Sequence, residues 1–259
     1  MSDGGYYLIG GLHRPDQIGG FPVAIARLYG IFNTVTRLTN KSAPKITYMG
    51  VAAGDPQTNE NALRENLNTN FPRGDYSNES HFVSLTNESS PESITDAFKS
   101  ADIVYMDGGP NNQNLEQLIT SNNMIKLFSD MVKRGGLVGG QSAGANILTH
   151  THSAWVGDKA ETRQGLAIIP ELAFAAHIDD INQREQRLEI ITRAQKENPT
   201  QLDKCWGVAS GFALLSKPDQ DKPQIVLPEG WGTASHDHSD AELAAVINGK
   251  WIYAAPETP

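Results

Sequence analysis

Leu137-Val138-Gly139-Gly140-Gln141-Ser142-Ala143-Gly144-Ala145-Asn146 decides how the rest of the chain is read. An apolar pair runs into glycines, a G-x-S-x-G pattern spans Gly140 to Gly144, and Ile147-Leu148 follow. In that context the pattern reads strand, sharp turn, helix. Such a turn holds one hydroxyl out at the end of a sheet, where it can attack a carbonyl carbon. Glycines on either side relieve the crowding of a tight turn. The N–H of Ala143, at a helix N-terminus, then points at the developing oxyanion. Taken alone, the pattern also fits a Gly/Ser-rich loop that merely turns the chain.

The chain on either side alternates. Tyr6–Ile9 reads as a strand into Gly10-Gly11, and Phe21–Leu38 has helical spacing. Lys45–Val51 is a second strand ending in the loop Ala52–Pro56, and Asn59–Phe71 a polar helix. His81–Leu85 alternates like a short strand, and Pro91–Ser100 is a helix with Ser90 at its N-cap. Ala101–Met106 is a strand into Asp107-Gly108-Gly109-Pro110-Asn111-Asn112, and Leu115–Arg134 a helix. Strands alternating with helices imply an α/β fold with a mainly parallel sheet covered on both faces. Ligands of such sheets sit outside the carboxyl ends of the strands. The glycine loops at 10–11, 108–109 and 139–140 all follow strands, so all three gather on that edge. Beyond Thr149 the pattern is less regular. Gly165–Ile169 is a strand or tight turn stopped by Pro170, Asp180–Asn198 a long helix, and Trp206–Leu215, Gln224–Leu227 and Lys250–Ala254 are late strands.

Bulk properties narrow the function. The 259 residues are 39% apolar and 20% charged, with no composition break, and read as a single domain over 1–259. A net charge of −9 argues against a general nucleic-acid binder. No apolar run approaches the ~18 residues of a membrane span, and no signal peptide is evident. One cysteine, Cys205, excludes an internal disulfide. A cytoplasmic location is expected.

A serine nucleophile needs a base, usually histidine, and a third group to orient it. Of seven histidines, His177 fits best, because it ends the apolar run Leu172–Ala176 and precedes polar Asp179-Asp180. His13 lies on the first glycine loop, His81 opens a strand at the far end, and His150 and His152 lie near the end of the helix that Ser142 begins. His236 and His238 lack a further ligand at metal-site spacing and read as a solvated loop, so no metal is expected. Gly108–Asn112 is either a turn or the source of a second oxyanion donor, from Gly109 or Asn111, since Pro110 has no N–H.

Gly108–Leu115, Gly140–Asn146, and Gly165-Leu166 with Pro170 leading to His177 together resemble the serine peptidases that include peptidase E and cyanophycinase. Gln183–Leu188 adds to the likeness, which runs from Leu8 to at least Leu188. The resemblance implies a three-layer α/β sandwich of the class I glutamine amidotransferase-like kind. It implies a cofactor-free serine peptidase that cleaves a small peptide or aspartyl (iso)peptide bond through a Ser-His-acid triad and an acyl-enzyme, as a dipeptidase or exopeptidase. By position, Ser142 would be the nucleophile, His177 the base, and Asp158, or in second place Glu161, the acid. Gly109 and Ala143 would form the oxyanion hole, and Asn111, Arg184 and Arg187 would meet substrate. Arg184 and Arg187 read equally as solvated helix charges. The expected partner is a small peptide, with no nucleic acid or membrane, and with a homodimer allowed for. Departures from the family pattern are Gly-Gly-Pro at 108–110, His177-Ile178-Asp179-Asp180 after the histidine, and Gly207-Val208-Ala209-Ser210-Gly211 where cyanophycinase has Gly-Ile-Asp-Glu. Two other readings stand beside this one: an α/β-hydrolase-type esterase, and a family member that binds without turnover.

Overall fold

Tyr6–Ile9, Ile46–Met49, Ile103–Met106 and Leu137–Gly140 carry apolar or glycine residues at nearly every position, the pattern of parallel strands covered on both faces. The computed structural model describes residues 4–12, 21–218, 220–228, 231–234 and 242–256. Its first half runs β1 (Gly5–Ile9), α1 (Phe21–Arg37), β2 (Ile46–Met49), α2 (Pro56–Asn70), β3 (Phe82–Ser84), α3 (Pro91–Ser100), β4 (Ile103–Met106), α4 (Asn112–Ser121), α5 (Ile125–Lys133), β5 (Leu137–Gln141) and α6 (Ala143–Asn146). The second runs β6 (Thr149–Val156), β7 (Lys159–Gln164), β8 (Ile169–Ala176), α7 (Arg184–Glu197), β9 (Lys204–Val208), β10 (Ala213–Ser216), β11 (Gln224–Val226), β12 (Trp231–Ala234), β13 (Glu242–Ile247) and β14 (Lys250–Pro256).

The strands form two sheets. The first has the order β11-β10-β1-β5-β4-β2-β3, with β1, β5, β4, β2 and β3 parallel and β10 and β11 antiparallel at one end. The second has the order β12-β14-β13-β9-β8-β6-β7, parallel at β6, β8 and β9. Alternation along each strand sorts side chains to opposite faces. Tyr7, Ile9, Ile46, Tyr48, Ile103 and Tyr105 face a core shared with Leu28, Phe32 and Val35 of α1 and Leu63 and Leu67 of α2. Leu8, Met49, Val104, Met106 and Val138 face a second core with helices α3 to α5, and that core continues into Leu172–Ala176 and Trp206 of the second sheet. Helix α7 covers β6 to β9. The α/β sandwich expected from the sequence is the architecture found, with the later strands gathered into a second sheet.

Local chemistry explains several boundaries. Asp55 caps α2 by accepting from the N–H of Thr58, and Ser90 caps α3 by accepting from Ser93. The helix expected over Leu115–Arg134 is two helices, broken where Asn123 takes a left-handed φ of 51°. The helix begun at Ser142 ends at Asn146, whose carbonyl accepts from the Thr149 hydroxyl, and His150 and His152 therefore lie on a strand. The expected late strand Trp206–Leu215 is β9 and β10, one in each sheet, so the chain crosses between sheets at residues 209–212.

The glycines of the G-x-S-x-G turn owe their place to one neighbour. A Cβ on Gly140 or on Gly144 would lie 2.3 Å from the carbonyl oxygen of Met106 at the end of β4. Backbone cannot yield there as a side-chain tip can. Gly144→Ala is expected to lower stability by about 2 kcal/mol or more. Gly30→Ala, in α1 with open space around it, is expected to raise it by roughly 0.5–1 kcal/mol. Urea unfolding midpoints of the two variants check the contrast.

Candidate active site

Ser142 connects β5 of the first sheet to α6, which leads into the second sheet. Its φ of 47° and ψ of −110° are strained for a residue with a Cβ, and they turn the hydroxyl out of the sheet edge. His177 follows β8 and also has a positive φ, 57°. Its Nε2 lies 2.8 Å from the Ser142 Oγ. Gly11 makes room for the imidazole, since a Cβ there would lie 2.3 Å from Cε1 of the ring. Two residues 35 apart in sequence are thus brought into hydrogen-bond contact by the meeting of two sheets.

The group behind His177 is not the one expected. Nδ1 lies 3.1 Å from the Oγ of Ser210, in the crossing between β9 and β10. Ser210 in turn donates to Asp179 Oδ1 from its hydroxyl at 2.9 Å and from its N–H at 2.7 Å. Asp158 and Glu161 lie elsewhere. Asp158 is exposed in the turn of the β6–β7 hairpin. Glu161 is on edge strand β7, 3.4 Å from Lys159. Hairpin pairing of Lys159 with Val156 and of Glu161 with Ala154 fixes both acids on that arm.

Of the backbone donors on the 108–111 loop, Gly108 N–H is committed to Asp107 Oδ1 at 2.8 Å and Asn111 N–H to the Ala52 carbonyl at 3.0 Å. Pro110 has none. Gly109 N–H has no acceptor among the described residues, and Ala143 supplies the first N–H of α6. The Asn111 side chain donates to the Ala53 carbonyl at 3.1 Å, so it braces the loop after β2 rather than lining the cleft.

A cleft of about 300 Å³ opens at Ser142 and His177. Leu12, Leu28, Tyr29 and Leu63 give it apolar walls, and Tyr48, Asn59, Asp107 and Gln141 a polar end. Asp107 is only 3% exposed. Its Oδ2 accepts from Tyr48 and Asn59, each at 2.8 Å, and its Oδ1 from Gly108 N–H and Gln141 Nε2. Burial, with the Asp107 charge, pushes Tyr29 up to about 12 and Tyr48 further up, so both phenols stay protonated donors.

A second cleft, of about 230 Å³, lies on the other side of the imidazole between Trp155, Asp179, Gln183, Arg187 and Ser210. Arg187 is 6% exposed, stacks 5.5 Å from the Trp155 ring centroid, and donates to Gln183 Oε1 from Nε at 3.1 Å and Nη2 at 2.7 Å. It is not a solvated charge. Arg184 points away from both clefts: its Nε donates to the Ile178 carbonyl at 2.6 Å and its Nη2 to that of Asp179 at 3.3 Å, which ties down the segment after His177. Of the other histidines, His152 is buried on β6 and held neutral, pushed down to about 4 by desolvation and then by Arg163. His13, His236 and His238 lie outside the described residues.

Asp107, Tyr48, Asn59, Asp179 and Ser210 were not anticipated as site residues. Asp107 had one signal, its place at the carboxyl end of an apolar strand just before a glycine pair. Asp179 follows the histidine by two residues. For Tyr48, Asn59 and Ser210, sequence spacing carries no signal, because their place depends on how separate elements dock.

Comparison with known proteins bears on the fold and the family. Among solved structures, the fold is similar to that of a peptidase from an acI-B1 Actinobacterium, at a TM-score of 0.55 and 14% identity, covering 99% of this chain and 95% of that one. It is also similar to a putative peptidase E protein from Listeria monocytogenes EGD-e, at a TM-score of 0.54 and 13% identity, covering 85% of this chain and 98% of that one. No curated protein matches. The family model for peptidase family S51 matches residues 25–218, and on that match the chain belongs to peptidase family S51, a family of serine peptidases.

Proposed function

We propose that this peptidase hydrolyses short peptides with Ser142 as nucleophile and His177 as general base. The observation that carries the reading is the 2.8 Å contact between Nε2 and Oγ, made by a serine whose backbone is strained to present it. In the proposed step the Ser142 oxygen attacks the scissile carbonyl while its proton passes to Nε2. The tetrahedral oxyanion lies between the N–H groups of Gly109 and Ala143. Its collapse expels the amine, which takes the proton back from Nε2, and leaves an acyl-enzyme. Water, deprotonated by the same imidazole, then releases the acid and restores Ser142. No step calls for a cofactor.

The two clefts support a choice of substrate. Arg187 at the second cleft, with Asp179 and Asp180 beside it, offers a planar guanidinium that matches a carboxylate in shape and charge. The first cleft suits an apolar portion, because Leu12, Leu28, Tyr29 and Leu63 wall it. A dipeptide with an acidic residue in the second cleft satisfies both, which supports aspartyl-X dipeptides within the wider class of small peptides.

Wild type is expected to cleave members of an Asp-X dipeptide panel and to take up a fluorophosphonate at Ser142. Ser142→Ala should lose labelling and at least about a thousandfold in kcat. Peptide mapping of the labelled site decides this, and a wild type that takes no label and cleaves nothing would sink the reading. Arg187→Gln is expected to raise KM for Asp-X about 10- to 100-fold, the range for a charged hydrogen bond left unmade, with Ala-X substrates little affected. Equal losses on both substrates would show that Arg187 does not read the acid.

A further inference from the structure

We propose that Asp179 acts on His177 through the hydroxyl of Ser210, so that the catalytic relay is Ser142–His177–Ser210–Asp179 rather than a triad with an acid against the imidazole. The inference rests on the reading of Ser142 and His177 as nucleophile and base, and adds the two groups that set the state of that base.

Proton counting carries the argument. The Ser210 hydroxyl has one proton and lies 2.9 Å from Asp179 Oδ1 and 3.1 Å from His177 Nδ1. An ionised carboxylate only accepts. The Ser210 proton therefore goes to Asp179, and the oxygen of Ser210 must accept from Nδ1–H. A neutral imidazole protonated at Nδ1 has its lone pair on Nε2, the atom facing the Ser142 hydroxyl at 2.8 Å. The opposite tautomer would require Ser210 to donate to Nδ1, and would set a serine lone pair against the carboxylate. Asp179 thus selects, through the Ser210 hydroxyl, the tautomer that can take the Ser142 proton.

The surroundings hold this arrangement in place. Ser210 is 1% exposed, so solvent does not compete for its hydroxyl. Its N–H also donates to Asp179 Oδ1 at 2.7 Å, which fixes the serine from a second direction. The positive φ of His177 and the bond from Asp180 N–H to the His177 carbonyl close a tight turn that carries base and carboxylate together. Arg184 clamps the Ile178 and Asp179 carbonyls of that turn. Among the described residues, Asp180 and Arg187 are further charged groups beside it, both lining the second cleft.

During attack the Ser142 proton moves to Nε2 and the ring becomes an imidazolium. Nδ1–H stays on nitrogen, donated to Ser210 Oγ, and the Ser210 proton stays on oxygen, donated to Asp179. The carboxylate stabilises the cation through an aligned hydroxyl dipole, and no proton reaches Asp179. Asp179 and Ser210 are positioning residues in this scheme.

The test is the second-order rate constant for fluorophosphonate labelling of Ser142, followed from pH 5 to 9, with urea midpoints to verify folding. Asp179→Asn and Ser210→Ala should each lower the rate about tenfold or more. In Asp179→Asn the acid limb of the profile should also move down by about one pH unit, because loss of a nearby anion makes the imidazolium harder to form. The double variant Asp179→Asn/Ser210→Ala should lose about as much as either single one, since both break the same chain. Asp179→Asn/Ser210→Asp, which sets a carboxylate against Nδ1, should regain most of the rate. A folded Ser210→Ala that labels at the wild-type rate with an unmoved profile overturns the relay and leaves the serine reading standing. A wild type that takes no label overturns both.

Discussion

Four hydrogen bonds to one buried carboxylate tie the site together. Asp107 sits at the end of β4 and accepts from Tyr48 on β2, Asn59 on α2, Gly108 on the loop after β4, and Gln141 at the end of β5. Gln141 precedes Ser142 and Gly108 precedes Gly109, so this carboxylate fixes the distance between the proposed nucleophile and its proposed oxyanion donor. Burying a charge without a counter-ion costs several kcal/mol. Bonds to charged groups return about 1.5–3 kcal/mol each, and four of them offset that cost. Burial and the Asp107 charge raise Tyr48, so this phenol stays protonated and stays a donor. Beside this knot, the Met106 carbonyl touches the elbow where Gly140 and Gly144 have no Cβ. The end of β4 positions the serine from both directions, by polar contact and by the absence of steric bulk.

The second constraint is the meeting of the two sheets. Ser142 leaves the first sheet, His177 leaves the second, and Ser210 lies where the chain passes from one to the other. Three turns converge there, and two of them hold a non-glycine residue at positive φ. Such conformations cost about 1–3 kcal/mol each and persist only when the surroundings dictate them. The surroundings here are the apolar strands on either side, Leu172–Ala176 and Trp206 among them, whose burial forms one continuous core beneath the site.

Periodicity made the first sheet legible. Its five parallel strands, the three glycine loops and helices α1 to α3 could be placed to within a few residues, because each depends on its own apolar pattern or its own cap. The β6–β7 hairpin was not legible. Thr149–Ser153 and Glu161–Gln164 are wholly polar, and the strand state comes from pairing with β8 and from the covering helix α7. That hidden hairpin also explains the misplaced acid. Asp158 and Glu161 stand between serine and histidine in the chain, yet a hairpin carries its middle residues to its far end. Ser142 and His177 could be singled out because their neighbours are glycine and apolar strand. Ser210 could not, since a serine in a glycine-flanked link looks like any turn.

Of the buried or half-buried aspartates beside the proposed chemistry, Asp107 and Asp179 have different tasks set by their surroundings. Asp107 has its four acceptor positions filled by two side-chain amides, a phenol and a backbone N–H, so it has no lone pair left for a proton in flight or for a substrate hydrogen. Its influence on a reacting group is a field and a fixed geometry. Asp179 sits one hydroxyl away from the imidazole, and Ser210 meets its Oδ1 with both hydroxyl and N–H. Its charge is therefore directed along the axis on which the imidazolium forms. Exchanging the two roles would need a carboxylate with open lone pairs at the end of β4, where β2, α2 and β5 already fill them. The acid that serves the base accordingly comes from the turn after the base itself, and a serine bridges the remaining gap.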